Sequence, residues 1–310
     1  MKIRNTISIL FAAALAASLT ACSSNTSSSG STAESTSGTT AESKNDSAAE
    51  SANNEETPAY SPENPVTVTI GLTGNIYEDI WNPIKEKLAP EGIILEYQQF
   101  TAFNIPNNAL NSGEIDINAF QHHAYFNNDT STNGYDLTVL GDTYIVAMNI
   151  YGGKVATIDE ALNYEGKLKV AVPNDVTNEG RALKLLAEAG FFTIKDDAGA
   201  APEISDIESY NVDIEFVEVD ANLVPSVKAD TDIAVINGNY ALDAGLTAGD
   251  AIYKESKYDD NSYYCVIAAR TADKDNPVFK RIVEAYQTQD TIDIYNNEFK
   301  GFFVPAWTLG

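Results

Sequence analysis

Arg181 is the residue whose type and position say most about chemistry. It lies in the first turn of a predicted helix, after the polar segment 173–180. The helix dipole disfavours a cation there, whereas the free backbone N–H groups and a guanidinium both favour an anion. Because Arg presents a planar fork to two oxygens, this pattern predicts a carboxylate clamp. The alternative for Arg181 is a solvated arginine paired with Asp175 or Glu179. For Asn178 the two interpretations are a helix cap alone and a cap that also contacts the ligand.

A second group of candidate side chains lies in residues 120–125, which include Phe120, His122 and Tyr125. The two aromatic rings can cover an apolar side chain, while the amide and the imidazoles can hydrogen-bond the polar end of an amino acid. The alternative is a pair of core aromatics with exposed histidines. Asn237 and Asn239 form a third group, although Asn-Gly at this place also favours a simple turn.

Each group follows a predicted strand. Hydrophobic alternation and helical spacing predict strands at 66–70, 93–97, 115–119, 167–172, 214–219 and 233–236, and helices at 80–88, 107–111 and 178–189. The pair Asn82-Pro83 predicts that the first helix kinks or restarts there. Strands that alternate with helices indicate an α/β fold with parallel sheets flanked by helices. In such sheets ligands bind beyond the carboxyl ends of the strands, which is where the three groups lie.

Residues 1–21 are predicted to be a secretory signal rather than a membrane span. They combine a short basic start with an apolar run over residues 7–19, which is shorter than the roughly 20 residues that cross a bilayer. The small residues before Cys22 resemble the lipobox of bacterial lipoproteins, in which cleavage leaves a lipid-modified cysteine at the N-terminus. The alternative is a plain signal peptide that ends near a cysteine. Acylation of Cys22 would leave Cys265 unpaired.

Residues 22–65 are predicted to be a lipid-anchored, Ser/Thr-rich disordered tether. Between residues 23 and 62 there are 18 Ser or Thr and no Val, Ile, Leu, Phe or Trp, so nothing there offsets the entropy of ordering. A chain of this length reaches on the order of 35 Å. The folded part is therefore expected at the outer face of a bacterial cell membrane, held through the N-terminal lipid.

Composition excludes several classes of protein. The 310 residues carry a formal net charge of -26 at pH 7, whereas a nucleic-acid binder needs a basic footprint. His122 and His123 are the only histidines, which excludes a site built on several histidine ligands, and no metal or cofactor is predicted. A secreted hydrolase with one of these histidines as general base is a disfavoured alternative, because no Gly-x-Ser-x-Gly occurs.

Taken together and in order, these segments resemble the methionine-binding lipoprotein family of bacterial ABC importers. The family's Asn-x-Ala-Leu and Asn-x-Phe-Gln-His patterns look like the segments that end at Leu110 and at His122. Its Pro-Asn-Asp-x-Thr-Asn-x-Gly-Arg-Ala-Leu looks like residues 173–183 without a gap, and its Val-Ile-Asn-x-x-Tyr-Ala looks like residues 235–241. The resemblance covers essentially all of residues 66–310.

The resemblance implies a two-lobed periplasmic-binding-protein fold, with the ligand in a cleft between α/β lobes that close on a hinge. It implies a first lobe at residues 66–143 and 271–310 and a second lobe at residues 144–270. The matching family positions line the cleft, which assigns ligand contacts to Phe120, His122, Tyr125, Asn178, Arg181 and Asn237. Tyr77 and Trp81, in the loop and helix after the first strand, are added on geometric grounds.

One position departs from the family pattern. The family's Tyr-x-Asn on the return strand, whose Asn contacts the ligand, aligns with Tyr263-Tyr264-Cys265. A thiol is a weaker hydrogen-bond donor and acceptor than an amide. The alignment therefore predicts that Cys265 faces the cleft, with either a compensating donor such as Asn239 or Tyr263 or a ligand other than free methionine.

The resemblance implies a lipid-anchored extracytoplasmic substrate-binding protein of an ABC importer, and not an enzyme. Such a protein binds a small amino-acid-like zwitterion, methionine or a related amino acid or short peptide, and delivers it to a membrane permease with its ATPase subunit. A sensor or adhesin on the same fold, without transport, is the alternative that the sequence leaves open. The predicted partners are the small ligand, the permease with its ATPase and the membrane, but no nucleic acid.

Overall fold

The computed structural model describes residues 59–258, 261–299 and 302–309. The predicted signal peptide, Cys22 and most of the predicted tether lie outside these residues. Within the described ranges, no helix has both the length and the apolar character needed to cross a bilayer.

Strands and helices follow one another along the described chain. The strands are β1 (Val66–Leu72), β2 (Ile93–Gln99), β3 (Ile117–Asn118), β4 (Leu137–Asp142), β5 (Tyr144–Val146), β6 (Asn149–Gly152), β7 (Leu168–Pro173), β8 (Phe192–Ile194), β9 (Ile207–Tyr210), β10 (Ile214–Val219), β11 (Ile233–Ile236), β12 (Ala251–Lys254), β13 (Val266–Arg270) and β14 (Phe303–Pro305). The α-helices are α1 (Ile76–Leu88), α2 (Pro106–Ser112), α3 (His123–Asn133), α4 (Ile158–Leu162), α5 (Val176–Glu188), α6 (Val224–Val227), α7 (Gly238–Asp243), α8 (Pro277–Tyr286) and α9 (Gln289–Asn297).

The first lobe is built on a five-stranded sheet with the order β2-β1-β3-β13-β4. β1 pairs parallel with β2 and β3, whereas β13 runs antiparallel to β3 and β4. Val68, Ile70 and Leu72 alternate along β1, so they share one face and join the apolar core with α1 and α8.

The second lobe is built on a five-stranded sheet with the order β10-β7-β11-β6-β12. β10, β7 and β11 are parallel, while β6 runs antiparallel to both of its neighbours. Leu183 and Leu186 of α5 pack with Val170 and Val172 of β7 in this lobe's core. Both sheets are therefore mixed, and the predicted parallel pairing holds only where a helix connects the strands, since a parallel neighbour needs such a crossover.

The chain passes between the lobes at two segments. The first lies between β5 and β6, and the second lies between β12 and β13. β13 pairs in the first sheet, although the predicted boundary at residue 270 assigns it to the second lobe. An apolar run reads as a strand in either sheet, so its composition does not reveal its partners.

α1 runs through Pro83 without restarting at Asn82, so the restart that was predicted as one of two possibilities is wrong. Pro83 has no N–H to donate to the carbonyl of Asp79. Because Asp79 is exposed, water can replace the lost donor. An interior proline costs about 3 kcal/mol, whereas fully burying one large apolar side chain contributes about 1.5–3 kcal/mol. Several such side chains on one face hold the helix together: Tyr77, Ile80, Trp81, Ile84 and Leu88.

Candidate ligand-binding site

A cavity lies between the two lobes, where β1, β3, β7 and β11 end. It contains about 370 Å³ of empty space, part of it open to solvent. Eight of the nine side chains predicted to contact a ligand line it: Tyr77, Phe120, His122, Tyr125, Asn178, Arg181, Asn237 and Cys265. The other lining residues are Phe103, Gln121, Val146, Gly238 and Asn239. Side chains distant in the sequence thus meet at the strand ends, where the fold class favours a ligand.

Trp81, which was also predicted to contact the ligand, does not line this cavity. It is 1% exposed and packs against Tyr286 of α8, with ring centroids 4.8 Å apart. Tyr77 stands one turn nearer the start of α1 and reaches the cavity. Because a helix rises 1.5 Å per residue, Trp81 lies on the same face but about 6 Å farther along the helix.

A buried network of amides holds the turn at residues 119–122. Asn107 donates to Gln121 Oε1 at 2.7 Å and to the carboxylate of Asp129 at 2.8 Å. Gln121 donates in turn to Asn107 Oδ1 at 2.6 Å and to Asn118 Oδ1 at 3.1 Å. A partnered polar network of this kind specifies one arrangement of the chain, so it fixes the turn at the cavity wall.

An aromatic wall covers one side of the cavity, and sequence reasoning missed one of its members. Phe103 stands 5.9 Å from the ring centroids of both Phe120 and Tyr125, and 4.8 Å from that of Tyr240. The Tyr240 hydroxyl also donates to the carbonyl of Thr101 at 3.3 Å, so this wall joins the two lobes. Phe103 follows the carboxyl end of β2, and that position is the signal that could have identified it.

Hydrogen bonds cross the cavity between the lobes. His122 Nδ1 accepts from the backbone N–H of Tyr125 at 3.1 Å, so the neutral ring carries its proton on Nε2. Nε2 lies 3.3 Å from Asn178 Oδ1, which also accepts from the side-chain amide of Asn237 at 2.7 Å. One side chain of the first lobe is thereby tied to two of the second.

α5 begins at Val176 with Asp175 as its cap, so Asn178 is not the cap residue considered from the sequence. Asp175 accepts from the backbone N–H of Asn178 at 3.0 Å, and the side-chain amide of Asn178 donates to both carboxylate oxygens at 3.0 Å. Burial raises the pKa of Asp175, although these hydrogen bonds lower it in part. Asp175 thus fixes the orientation of the Asn178 side chain.

Arg181 is buried, with 4% of its side chain exposed, and it forms an ion pair with Glu255. Nε and Nη2 donate to the two carboxylate oxygens at 2.7 and 2.5 Å, and Nη2 also donates to the carbonyl of Val146 at 3.0 Å. The ring of Tyr263 lies 4.4 Å from the guanidinium carbon. The fork is therefore held on several sides in one orientation.

The partner of Arg181 is Glu255 rather than Asp175 or Glu179, which were considered from the sequence. Burial on its own would lower the pKa of Arg181, but the Glu255 carboxylate outweighs it and the pKa is raised. The fork does bind a carboxylate, yet this carboxylate belongs to the protein. Nη1 has no hydrogen-bond acceptor among the described residues, so Arg181 keeps donors that the ion pair does not use.

Asn237 carries an unpaired acceptor in the cavity. Its Oδ1 is buried and accepts no hydrogen bond from the described part of the chain. α7 starts at the next residue, Gly238, where an added Cβ would lie 2.2 Å from Val146 Cγ2 and 2.6 Å from the carbonyl of Ala147. Only glycine lets the start of α7 approach Val146 and Ala147 this closely. A buried unpaired acceptor costs about 1–3 kcal/mol, which a donor from a ligand would relieve.

Cys265 lines the cavity and is 5% exposed, in a backbone bridge with His122. Burial raises the pKa of its thiol to about 12, so the group is neutral at physiological pH. Of the two compensating donors considered from the sequence, Asn239 lines the cavity and donates to the carbonyl of Thr73 at 3.2 Å. Tyr263 stacks on the guanidinium instead and borders a neighbouring cavity.

The model of the NlpA lipoprotein family matches residues 68–307, which is most of the chain. The chain belongs to the NlpA lipoprotein family. Its two-lobed α/β architecture is that of solved ABC-transporter substrate-binding proteins.

Members with similar sequences include a D-methionine-binding lipoprotein, MetQ, of Escherichia coli K12. It is 35% identical over 245 residues, which cover 78% of this chain and 88% of the relative. A nutrient binding protein of Burkholderia cenocepacia, solved bound to methionine, is 35% identical with a TM-score of 0.71 and covers 77% of this chain and 99% of its own. The substrate binding protein of a methionine transporter from Streptococcus pneumoniae is 30% identical with a TM-score of 0.72 and covers 77% and 95%.

The histidines of this NlpA-family protein are poorly placed for acid–base catalysis. Burial, and then the charge of Arg181, lower the pKa of His122 to about 3, and both ring nitrogens have partners. His123 pairs with Asp142 at 2.7 Å and does not line the cavity. In the described ranges, no three His, Cys, Asp or Glu side chains are grouped to hold a metal ion.

We expect His122 to make the protein less stable as the pH falls below about 6.5. Its pKa is about 3 in the folded protein against an ordinary 6.5. Since the folded pKa is the lower one, His122 does not change the stability above about pH 6.5. Below that pH it lowers the free energy of unfolding by about 1.4 kcal/mol per pH unit, down to the folded pKa. Urea unfolding at pH 7 and at pH 5 measures this effect. From pH 7 to pH 5, the free energy of unfolding of the wild type should fall by about 2 kcal/mol more than that of a His122→Gln variant.

The comparison with His122→Gln also removes the opposing effect of Glu179. Burial raises the pKa of Glu179 to about 7, which adds stability as the pH falls and acts equally in both proteins. Equal losses in wild type and variant would show that His122 is not buried in its neutral form.

Proposed function

We propose that the protein is a lipid-anchored, extracytoplasmic substrate-binding protein of an ABC importer. Its ligand is a small amino-acid-like zwitterion, methionine or a related amino acid or short peptide, which it delivers to a membrane permease with its ATPase subunit. The observation that carries this proposal is one cavity that holds a buried arginine with unused donors and a buried amide with an unused acceptor.

The two polar groups suit the two ends of a zwitterion. A carboxylate would accept from Nη1 of Arg181, and an ammonium would donate to Oδ1 of Asn237. The carboxylate of Asp175 behind Asn178 adds negative potential on the ammonium side. An amino acid thereby supplies both the anion and the donor that these buried groups lack, and burying either group unpaired would be unfavourable.

The aromatic wall suits an apolar side chain. Phe103, Phe120 and Tyr125 stand 5.9–6.1 Å apart around the cavity, a spacing typical of aromatic packing. A thioether is polarisable and makes favourable contacts with ring edges, so a methionine side chain fits these surroundings. The names of the relatives, which include methionine-binding and D-methionine-binding proteins, support the same ligand class.

A thermal-shift screen over the L- and D-amino acids and methionyl dipeptides tests the ligand class. We expect the largest rise in Tm from an apolar amino acid or a short methionyl peptide, because a ligand at 100 times its Kd adds about 2.7 kcal/mol to stability. If Cys265 faces the ligand, Cys265→Asn should tighten L-methionine binding by about 2- to 10-fold through one added hydrogen bond, with Cys265→Ser as the size-matched control.

Two results would count against these expectations. The absence of any shift from amino acids or dipeptides at millimolar concentration would overturn the proposed ligand class. A largest shift from L-methionine, with an affinity that Cys265→Asn leaves unchanged, would overturn the idea that Cys265 alters specificity. Calorimetric titration gives the Kd values for both comparisons.

A further inference from the structure

Glu255 pairs with Arg181 but does not line the ligand cavity. Its side chain is 7% exposed and borders a second cavity, together with Arg181, Lys184 and Glu188. We propose that Glu255 is a specificity-determining residue that makes the closed site accept ligands of zero net charge and reject anions. This inference rests on the proposed function, since it concerns the selectivity of the same site.

The charge of the cavity lining is the first step. Burial keeps His122 and Cys265 neutral, because it lowers the pKa of His122 to about 3 and raises that of Cys265 to about 12. Burial also raises the pKa of the lining tyrosines, Tyr77 and Tyr125. Among the lining residues of the described chain, Arg181 is therefore the charged one. Without a counter-charge the cavity would favour any anion of the right size.

Glu255 supplies that counter-charge without entering the cavity. It neutralises the guanidinium through two hydrogen bonds, so an incoming carboxylate meets an arginine that is already paired. Asp175, which caps α5, adds a further negative charge through its contact with Asn178. The combined field favours a ligand whose carboxylate comes with its own ammonium, because a bare anion would add a third negative charge to two carboxylates and one guanidinium.

The position of Glu255 is fixed by its hydrogen bonds to Met148 and Asn149 rather than by the ligand. Its Oε2 accepts from the backbone N–H of Met148 at 2.9 Å, and its own backbone N–H donates to Asn149 Oδ1 at 3.1 Å. Arg181 donates to the carbonyl of Val146, the last residue of β5. Glu255 is thus built into the passage between the lobes, and its charge is in place whichever ligand arrives.

The experiment compares a zwitterion with the anion that lacks its ammonium. The Kd values of L-methionine and 4-(methylsulfanyl)butanoate are measured by calorimetry for the wild type, Glu255→Gln, Glu255→Asp and Glu188→Gln. The amide variant keeps an acceptor for Met148 but removes the charge, the aspartate keeps the charge, and Glu188→Gln removes a charge from the wall of the second cavity, where Glu188 pairs with Lys257. If the amide variant does not fold, Glu255→Met replaces it.

We expect the ratio of the anion's Kd to the zwitterion's Kd to fall by about tenfold in Glu255→Gln or Glu255→Met. The ratio should stay near the wild-type value in Glu255→Asp and Glu188→Gln. A ratio that stays constant in Glu255→Gln, or that changes equally in Glu255→Asp, would overturn the inference while the proposed function stands. Failure of the wild type to bind any amino acid would overturn the proposed function instead.

Discussion

Replacing Arg181 with Ala is expected to weaken binding of the amino-acid ligand by about a hundredfold or more. Removing one partner of a buried charge pair typically costs about 2–5 kcal/mol, and each 1.4 kcal/mol is a factor of ten in Kd. Arg181 is 4% exposed and has donors that Glu255 does not use, so it is equipped to hold a carboxylate away from water. Calorimetric titration of the ligand found by the screen measures the effect.

The single variant would also leave Glu255 buried without its cation. Such an uncompensated charge costs about 3–5 kcal/mol of stability, so Arg181→Ala alone would confuse lost binding with lost folding. The double variant Arg181→Ala, Glu255→Gln removes both charges and should recover most of the stability while binding remains weak. A double variant that folds and binds with the wild-type Kd would show that Arg181 is a structural ion-pair partner and nothing more.

Replacing Cys22 with Ala is expected to move nearly all of the protein from the membrane to the supernatant, or to leave it unprocessed. A single acyl chain gives only marginal membrane binding, whereas two or three chains anchor a protein firmly. The chain carries 2 cysteines, and the other one, Cys265, is buried in the ligand cavity. Fractionation of cells followed by immunoblotting measures the distribution.

Cys265→Ala is the matched control for this experiment. It removes the same functional group from the folded domain and should leave membrane retention as in the wild type. Retention of the Cys22→Ala protein at the wild-type level would contradict lipid attachment at that residue. Loss of retention in both variants would indicate that misfolding, not the anchor, governs the distribution.

The strand ends and their polar loops were predictable from the sequence because they depend on local patterns. The segment at 173–180 and the pair Asn237-Gly238 each follow a short apolar run, and a parallel sheet brings such loops to one edge. The same logic placed Tyr77 beside the cavity, since it follows β1. It did not exclude Trp81, which does not line the cavity, because the helical period gives the face of a side chain but not its distance from the cleft.

Features that depend on distant pairing were not predictable. Glu255 reaches Arg181 across 74 positions in the chain, and nothing near either residue indicates the pair. The placement of β13 in the first sheet has the same origin, since an apolar strand carries no record of its neighbours. Phe103 follows the carboxyl end of β2, so the strand-end pattern could have identified it. Long-range contacts of charge and backbone thus completed a site that local patterns had outlined.

A crystal structure of the protein with its tightest-binding amino acid or peptide tests the central claim most directly. The ligand should lie in the cavity between the lobes, with its carboxylate within about 3 Å of a guanidinium nitrogen of Arg181 and its ammonium at a similar distance from Oδ1 of Asn237. Its side chain should contact Phe103, Phe120 and Tyr125. Density for the ligand outside this cavity, or a carboxylate turned away from Arg181, would contradict the account.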